Sequence, residues 1–133
     1  MRITKKLLLV AVILIVLTVT GCTPTSEEAK IESVVNGYAS AISSQNWNKA
    51  RSYCVEGSTP YTTVDGLEDI MNQASGSVSI DYIITISNTS INDYYATVSG
   101  SYALIMSGGG TSMDDSGNLT FNLQKVNGTW KLY

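Results

Sequence analysis

Val78-Ser79-Ile80-Asp81-Tyr82-Ile83-Ile84-Thr85-Ile86-Ser87 decides the fold. Val78, Ile80, Tyr82, Ile84 and Ile86 alternate with Ser79, Asp81, Ile83, Thr85 and Ser87, the period of a half-buried strand. Asn88 to Asn92 reads as the turn that follows. Beyond it Tyr94, Ala96, Val98, Gly100, Tyr102, Leu104 and Met106 share one face, with mainly polar residues between them. Gly100, in mid-strand, marks a bend or bulge. Gly108-Gly109-Gly110 through Ser116-Gly117 reads as a flexible connection, after which Leu119, Phe121 and Leu123 alternate with Thr120, Asn122 and Gln124. Asn127-Gly128 is a hairpin signal, since both residues accept positive φ. Thr129 to Tyr133 then returns with Trp130 and Leu132 inward. Such alternation predicts an antiparallel sheet with one buried and one wet face.

Before Gly76 the period is helical. Ile31, Val34, Val35, Tyr38 and Ile42 fall on one helix face, with Ser26 placed to cap it and Glu27 and Glu28 suited to the positive end of its dipole. Ser43-Ser44-Gln45 breaks that run. Asn46 is placed to cap a second, short helix with Trp47, Ala50 and Cys54 inward. Glu56 to Tyr61, with Gly57 and Pro60, reads as a loop. Asp65 with Glu68 three residues on has capping-box spacing and introduces a third helix, whose Leu67, Ile70, Met71 and Ala74 line one face. Helices segregated before an antiparallel sheet define an α+β domain. The expected architecture is N-terminal helices packed on a curved four-stranded antiparallel sheet, a cone with a pocket inside.

This order resembles the nuclear transport factor 2-like superfamily, also called SnoaL-like or cystatin-like. The residues that carry the likeness are Val35-Asn36-Gly37-Tyr38-Ala39-Ser40-Ala41-Ile42 and Asn46-Trp47-Asn48-Lys49-Ala50-Arg51-Ser52-Tyr53. The ending Phe121-Asn122-Leu123-Gln124-Lys125-Val126-Asn127-Gly128-Thr129-Trp130-Lys131-Leu132 is similar to that family's closing hairpin. The fold it implies hosts enzymes, binders and scaffolds alike.

The opening residues speak to address. Arg2, Lys5 and Lys6 precede the unbroken apolar run Leu7 to Leu17, and Val19-Thr20-Gly21-Cys22 follows. A basic start, a short apolar stretch and a small-residue cleavage site make a secretory signal. The eleven apolar residues fall short of the ~20 that a membrane span needs. The last four residues resemble the prokaryotic lipobox, which implies Cys22 as the lipidated first residue of the mature chain. The expected division is a signal over residues 1–21, a lipidated tether over 22–26 and the folded domain over 27–133. The expected place is the extracytoplasmic face of the cell membrane, with the bilayer as partner through Cys22.

Three of the eight Lys and Arg lie in that signal, which leaves five against eleven Asp and Glu in the 112 residues from Cys22 onward, a formal charge of −6. An acidic domain with so few cations is a poor nucleic-acid ligand, because phosphate neutralisation needs clustered Lys and Arg. With Cys22 committed to lipid, Cys54 has no disulfide partner within the chain and reads as a buried small hydrophobe.

The chain has no histidine, which removes imidazole bases, histidine-containing triads and histidine metal sites. Asp114-Asp115-Ser116-Gly117-Asn118 lacks the alternating ligands and closing glutamate of a calcium loop, so no metal and no cofactor is expected. Tyr38 is the catalytic candidate. In the ketosteroid isomerases of the same fold, a tyrosine at the matching place on the first helix donates a hydrogen bond to a developing oxyanion. The family's general base falls here near Pro60 and Tyr61, neither of them a carboxylate. The other reading of Tyr38 is a core tyrosine with one hydroxyl partner.

Arg51 either grips an anion at the pocket mouth or is a surface side chain near Glu56. Trp47, Tyr82, Tyr102, Phe121 and Trp130 either line an aromatic pocket with Tyr38 or simply pack the core. Three functions stay open: a non-enzymatic binding or accessory domain for a small apolar ligand or another envelope protein, a small lyase or isomerase acting through Tyr38, and a structural domain. The last would form a homodimer through a wet-face patch of Ile83, Ala103, Ile105 and Val126.

Overall fold

The computed structural model describes residues 26–74 and 76–133. Three helices, α1 (Glu27–Ser43), α2 (Trp47–Ser52) and α3 (Thr59–Gln73), precede four strands, β1 (Val78–Asn92), β2 (Tyr95–Gly108), β3 (Thr111–Val126) and β4 (Thr129–Leu132). The strands form one antiparallel sheet in the order β1-β2-β3-β4, curled into a half-barrel around α1. The expected α+β cone is therefore the fold observed.

Local chemistry sets the helix starts. Ser26 Oγ accepts from Ala29 N at 3.1 Å, and Glu27 and Glu28 occupy the positive first turn of α1. Asn46 Oδ1 accepts from Lys49 N at 3.2 Å and caps α2. On α1 the buried face is Ile31, Val35, Tyr38 and Ile42. They meet Ile80 of β1, Ala96, Val98 and Met106 of β2, Leu123 of β3, and Trp130 and Leu132 of β4 in one core. Cys54 lies in that core just past α2, where Val55 N donates to Leu132 O at 2.7 Å and Leu132 N to Tyr53 O at 2.9 Å. This short parallel pairing ties β4 to the helical layer on its free side. Burial pushes the Cys54 thiol up to about 12, so it stays a neutral hydrophobe at physiological pH.

Four sequence expectations are corrected. The segment Glu56 to Tyr61 is not all loop, because α3 begins at Thr59 with Pro60 in its first turn. A proline there loses no helical hydrogen bond, so the apparent breaker is a starter. Asp65 and Glu68 accordingly sit in mid-helix and cap nothing.

The stretch Asn88–Asn92 remains in β1, and the turn is Asp93-Tyr94. Register shifts between Ile86 and Asn88, a bulge that lets the polar half of an edge strand stay paired. Gly100 sits opposite that bulge, where a Cβ would run into the Thr85 carbonyl oxygen.

Finally, only Gly109-Gly110 connects β2 to β3. Both have positive φ, 61° and 82°, as a two-residue hairpin turn requires. Residues expected to be flexible are strand, with Leu104 opposite Asp115 and Met106 opposite Met113. Asn127-Gly128, with φ 50° and 81°, makes the last hairpin as expected.

Candidate functional site

The curl of the sheet carries Tyr82 of β1 and Phe121 of β3 onto Tyr38 of α1. The Tyr38 ring meets Phe121 edge-on at 5.8 Å and 82°, and Tyr82 at 6.3 Å and 76°. Tyr102 continues the stack, 6.2 Å from Tyr82. Such edge contacts suit the opposite charges of ring faces and edges. Tyr38, Tyr82 and Phe121 form one wall of a cleft of about 350 Å³, closed by Thr59, Pro60 and Thr63 of α3 and by Tyr133.

Tyr38 itself is 1% exposed. Its hydroxyl donates to the Pro60 carbonyl at 3.0 Å, so its proton is spent on the backbone of α3. Burial, with smaller contributions from Cys54 and Tyr82, holds its pKa far above the usual phenol value. Burial likewise pushes Tyr82 up to about 12. Both are neutral hydroxyls throughout the physiological range.

A second cleft, about 530 Å³, opens at the other end of the sheet. Ile70 of α3 and Ala74 just past its end, Val78 of β1, and Met106 and Met113 of the β2–β3 hairpin give it an apolar lining. The sequence pattern hides it, because the glycine-rich stretch that holds Met113 reads as a connection. Recognising Gly109-Gly110 as a two-residue turn would have set Met113 opposite Met106.

The remaining candidates lie elsewhere. Arg51 Nε donates to Asp65 at 2.7 Å, one terminal nitrogen bonds Glu68 and the other donates to Asn48 at 3.3 Å. The two carboxylates, Glu68 first, raise its pKa. Its acidic partners are thus on α3 rather than at Glu56, and the guanidinium is engaged away from both clefts. Trp47 borders a separate polar hollow with Asn46, Asn48 and Glu68. Trp130 Nε1 donates to Glu27 at 2.7 Å, with Lys125 Nζ 5.5 Å from the centre of its ring. Tyr102 donates to Asp115 at 2.9 Å. Cys22 lies outside the described residues. Among the described residues no charged side chain is buried and no cluster of three His, Cys, Asp or Glu forms. No helix among them is long and apolar enough to cross a membrane.

Helices laid on a curled, four-stranded antiparallel half-barrel define the nuclear transport factor 2-like, or cystatin-like, fold. Solved structures agree. A protein of the nuclear transport factor 2-like family from Streptomyces avermitilis, provisionally assigned as a dehydratase, is 12% identical. That match covers 84% of this chain and 94% of the other at a TM-score of 0.65. A ketosteroid isomerase-like protein from Erwinia carotovora atroseptica is 17% identical, over 81% and 92%, at 0.59. A nuclear transport factor 2-like protein with a cystatin-like fold from Novosphingobium aromaticivorans is 10% identical, over 80% and 77%, at 0.60. Identities this low establish shared fold and nothing of shared chemistry. No family model matches the chain, and no curated protein matches it in sequence.

Proposed function

We propose that the chain is a membrane-anchored, extracytoplasmic lipoprotein whose domain binds a small apolar ligand or serves as an accessory to another envelope protein, without catalysis. One observation carries the non-enzymatic reading. Among the described residues lining either apolar or aromatic cleft, none is Asp, Glu, Lys or Arg. Proton transfer at such a site needs an acid or base within hydrogen-bond reach of the substrate. Tyr38 stands where the isomerase reading wants a donor, but its proton already serves Pro60, the very region where that reading wants a base. The Met106–Met113 cleft suits a ligand held by shape and apolar contact, since methionine side chains adapt to irregular surfaces.

Two measurements test the proposal. Labelled fatty acid should enter the wild-type protein, and Cys22→Ser should abolish labelling and release the domain from membranes; labelling that survives the substitution would refute the anchor. Mass spectrometry of what co-purifies with the domain then identifies the ligand. A turnover of that ligand that Tyr38→Phe removes while binding persists would overturn the non-enzymatic reading in favour of a lyase or isomerase.

A second reading, self-association through the outer sheet face, is favoured by Ile83 and Ile105, both exposed and on neighbouring strands beside Ala103. Sedimentation of the delipidated domain as a monomer at high concentration would exclude it.

A further inference from the structure

The two ends of α1 differ in what surrounds them. At its C-terminal end Gln45 Nε2 donates to Val78 O at 3.0 Å, beside the cleft of Met106 and Met113. At its N-terminal end Glu27 Oε2 accepts from Lys125 Nζ at 2.9 Å, and Lys125 N donates to Tyr94 O at 2.8 Å. The start of α1 and the tip of the β1–β2 hairpin therefore lie at one end of the domain, roughly 25 Å along the helix from the Met-lined cleft. That tip is unusually apolar for a turn: Tyr94 is 68% exposed, Tyr95 56% and Ile91 41%.

We infer that this hairpin tip is a membrane-seating surface, with Tyr94, Tyr95 and Ile91 entering the headgroup region of the bilayer that anchors Cys22. The inference rests on the lipid-anchor reading given above. Four peptide links separate Cys22 from Ser26 and span at most ~14 Å, so a lipidated Cys22 keeps this end of the domain against the bilayer. Tyrosine suits that depth, because its ring is apolar while its hydroxyl keeps a polar partner. Charge contributes little: Lys30 and Lys125 are both paired with Glu27, while Glu28 and Asp93 at the same end are acidic. The seating is thus apolar and aromatic, and it turns the Met-lined cleft away from the membrane.

The test uses the full chain, purified in its processed form and reconstituted into phosphatidylethanolamine–phosphatidylglycerol vesicles containing acyl-brominated lipid. Tyr94→Trp places a reporter at the tip, and Met113→Trp places one at the far cleft; wild-type emission from Trp47 and Trp130 is subtracted. The Tyr94→Trp signal is expected to shift to shorter wavelength and lose most of its intensity to bromine, unchanged in high salt, while the Met113→Trp signal is unaffected. Tyr95→Trp repeats the measurement should the first variant misfold. Mass spectrometry of the same samples reports the lipid on Cys22. Lipid present with the tip reporters unquenched, or with both ends quenched alike, overturns the seating and leaves the anchor standing. An unmodified Cys22 overturns the anchor and the seating together.

Discussion

Replacing Tyr38 by phenylalanine separates a structural tyrosine from a chemical one. The substitution keeps the ring, and with it the edge contacts to Tyr82 and Phe121, and deletes one hydrogen bond of 3.0 Å to Pro60 O. A typical internal hydrogen bond contributes about 0.5–1.5 kcal/mol net. Pro60 lies in the first turn of α3, where its carbonyl faces the helical ladder, so removing Tyr38 Oη does not orphan it. The expected cost of Tyr38→Phe is therefore about 1 kcal/mol, against ~3–5 kcal/mol for Tyr38→Ala, which empties an aromatic site in the core.

Urea unfolding followed by circular dichroism reads both, with an unchanged slope. The alkaline limb adds a sign. The folded pKa of Tyr38 lies above its usual 10.0, so its contribution is intact below pH 10 and declines as pH rises toward the folded value. Tyr38→Phe should remove part of that alkaline loss, while Tyr82 and Cys54, both raised to about 12, retain theirs. A Tyr38→Phe protein as stable as wild type, with the same alkaline profile, would refute the reasoning.

The other predictions concern the sheet and its closure. Trp130→Ala should cost ~3–5 kcal/mol in the same assay, because the ring is buried in the core; a loss below about 1 kcal/mol would contradict that placement. Glu27 is held at about 2 by hydrogen bonds from Lys125, Trp130 and Lys30, in that order, so its contribution is present above its usual 4.5 and fades as pH falls toward 2. Acid titration of stability should flatten in Glu27→Gln, and an unaltered titration would show that the three donors do not act through this carboxylate. Gly100→Ala forces a methyl group into the Thr85 carbonyl and should lower the urea midpoint; a neutral effect would mean the strands part there at no cost.

How much of this was legible in the sequence follows from the range of the interactions involved. The caps at Ser26 and Asn46 and the Asn127-Gly128 turn are local, and the residues that make them announce them. Trp130 and Leu132 are inward because strand alternation leaves them nowhere else. The start of α3 is hidden because Pro60 ends helices and begins them with equal facility, and only its place two residues after Ser58, the N-cap residue of α3, decides. Asp65 and Glu68 illustrate a deeper ambiguity. A spacing of three describes both a cap with its reciprocal partner and two neighbours on one helix face, and the choice is made by Arg51 from another helix. Of the aromatic site, alternation gave the inward faces of Tyr82 and Phe121. It does not give the partner of the Tyr38 hydroxyl, which comes from a helix start whose glycine and proline read as loop.

The bond between Glu27 and Trp130 joins residues 103 positions apart, and that between Glu27 and Lys125 spans 98. Contacts of such long range make the timing of folding depend on the end of the chain. A polypeptide emerging N-terminus first has α1 available early, but its apolar face finds Leu123, Trp130 and Leu132 only when the final hairpin arrives. Until then the helix lacks its lid and the sheet lacks its last strand. The first helix of the domain is thus completed by residues synthesised last, and the full burial of its apolar face waits on them.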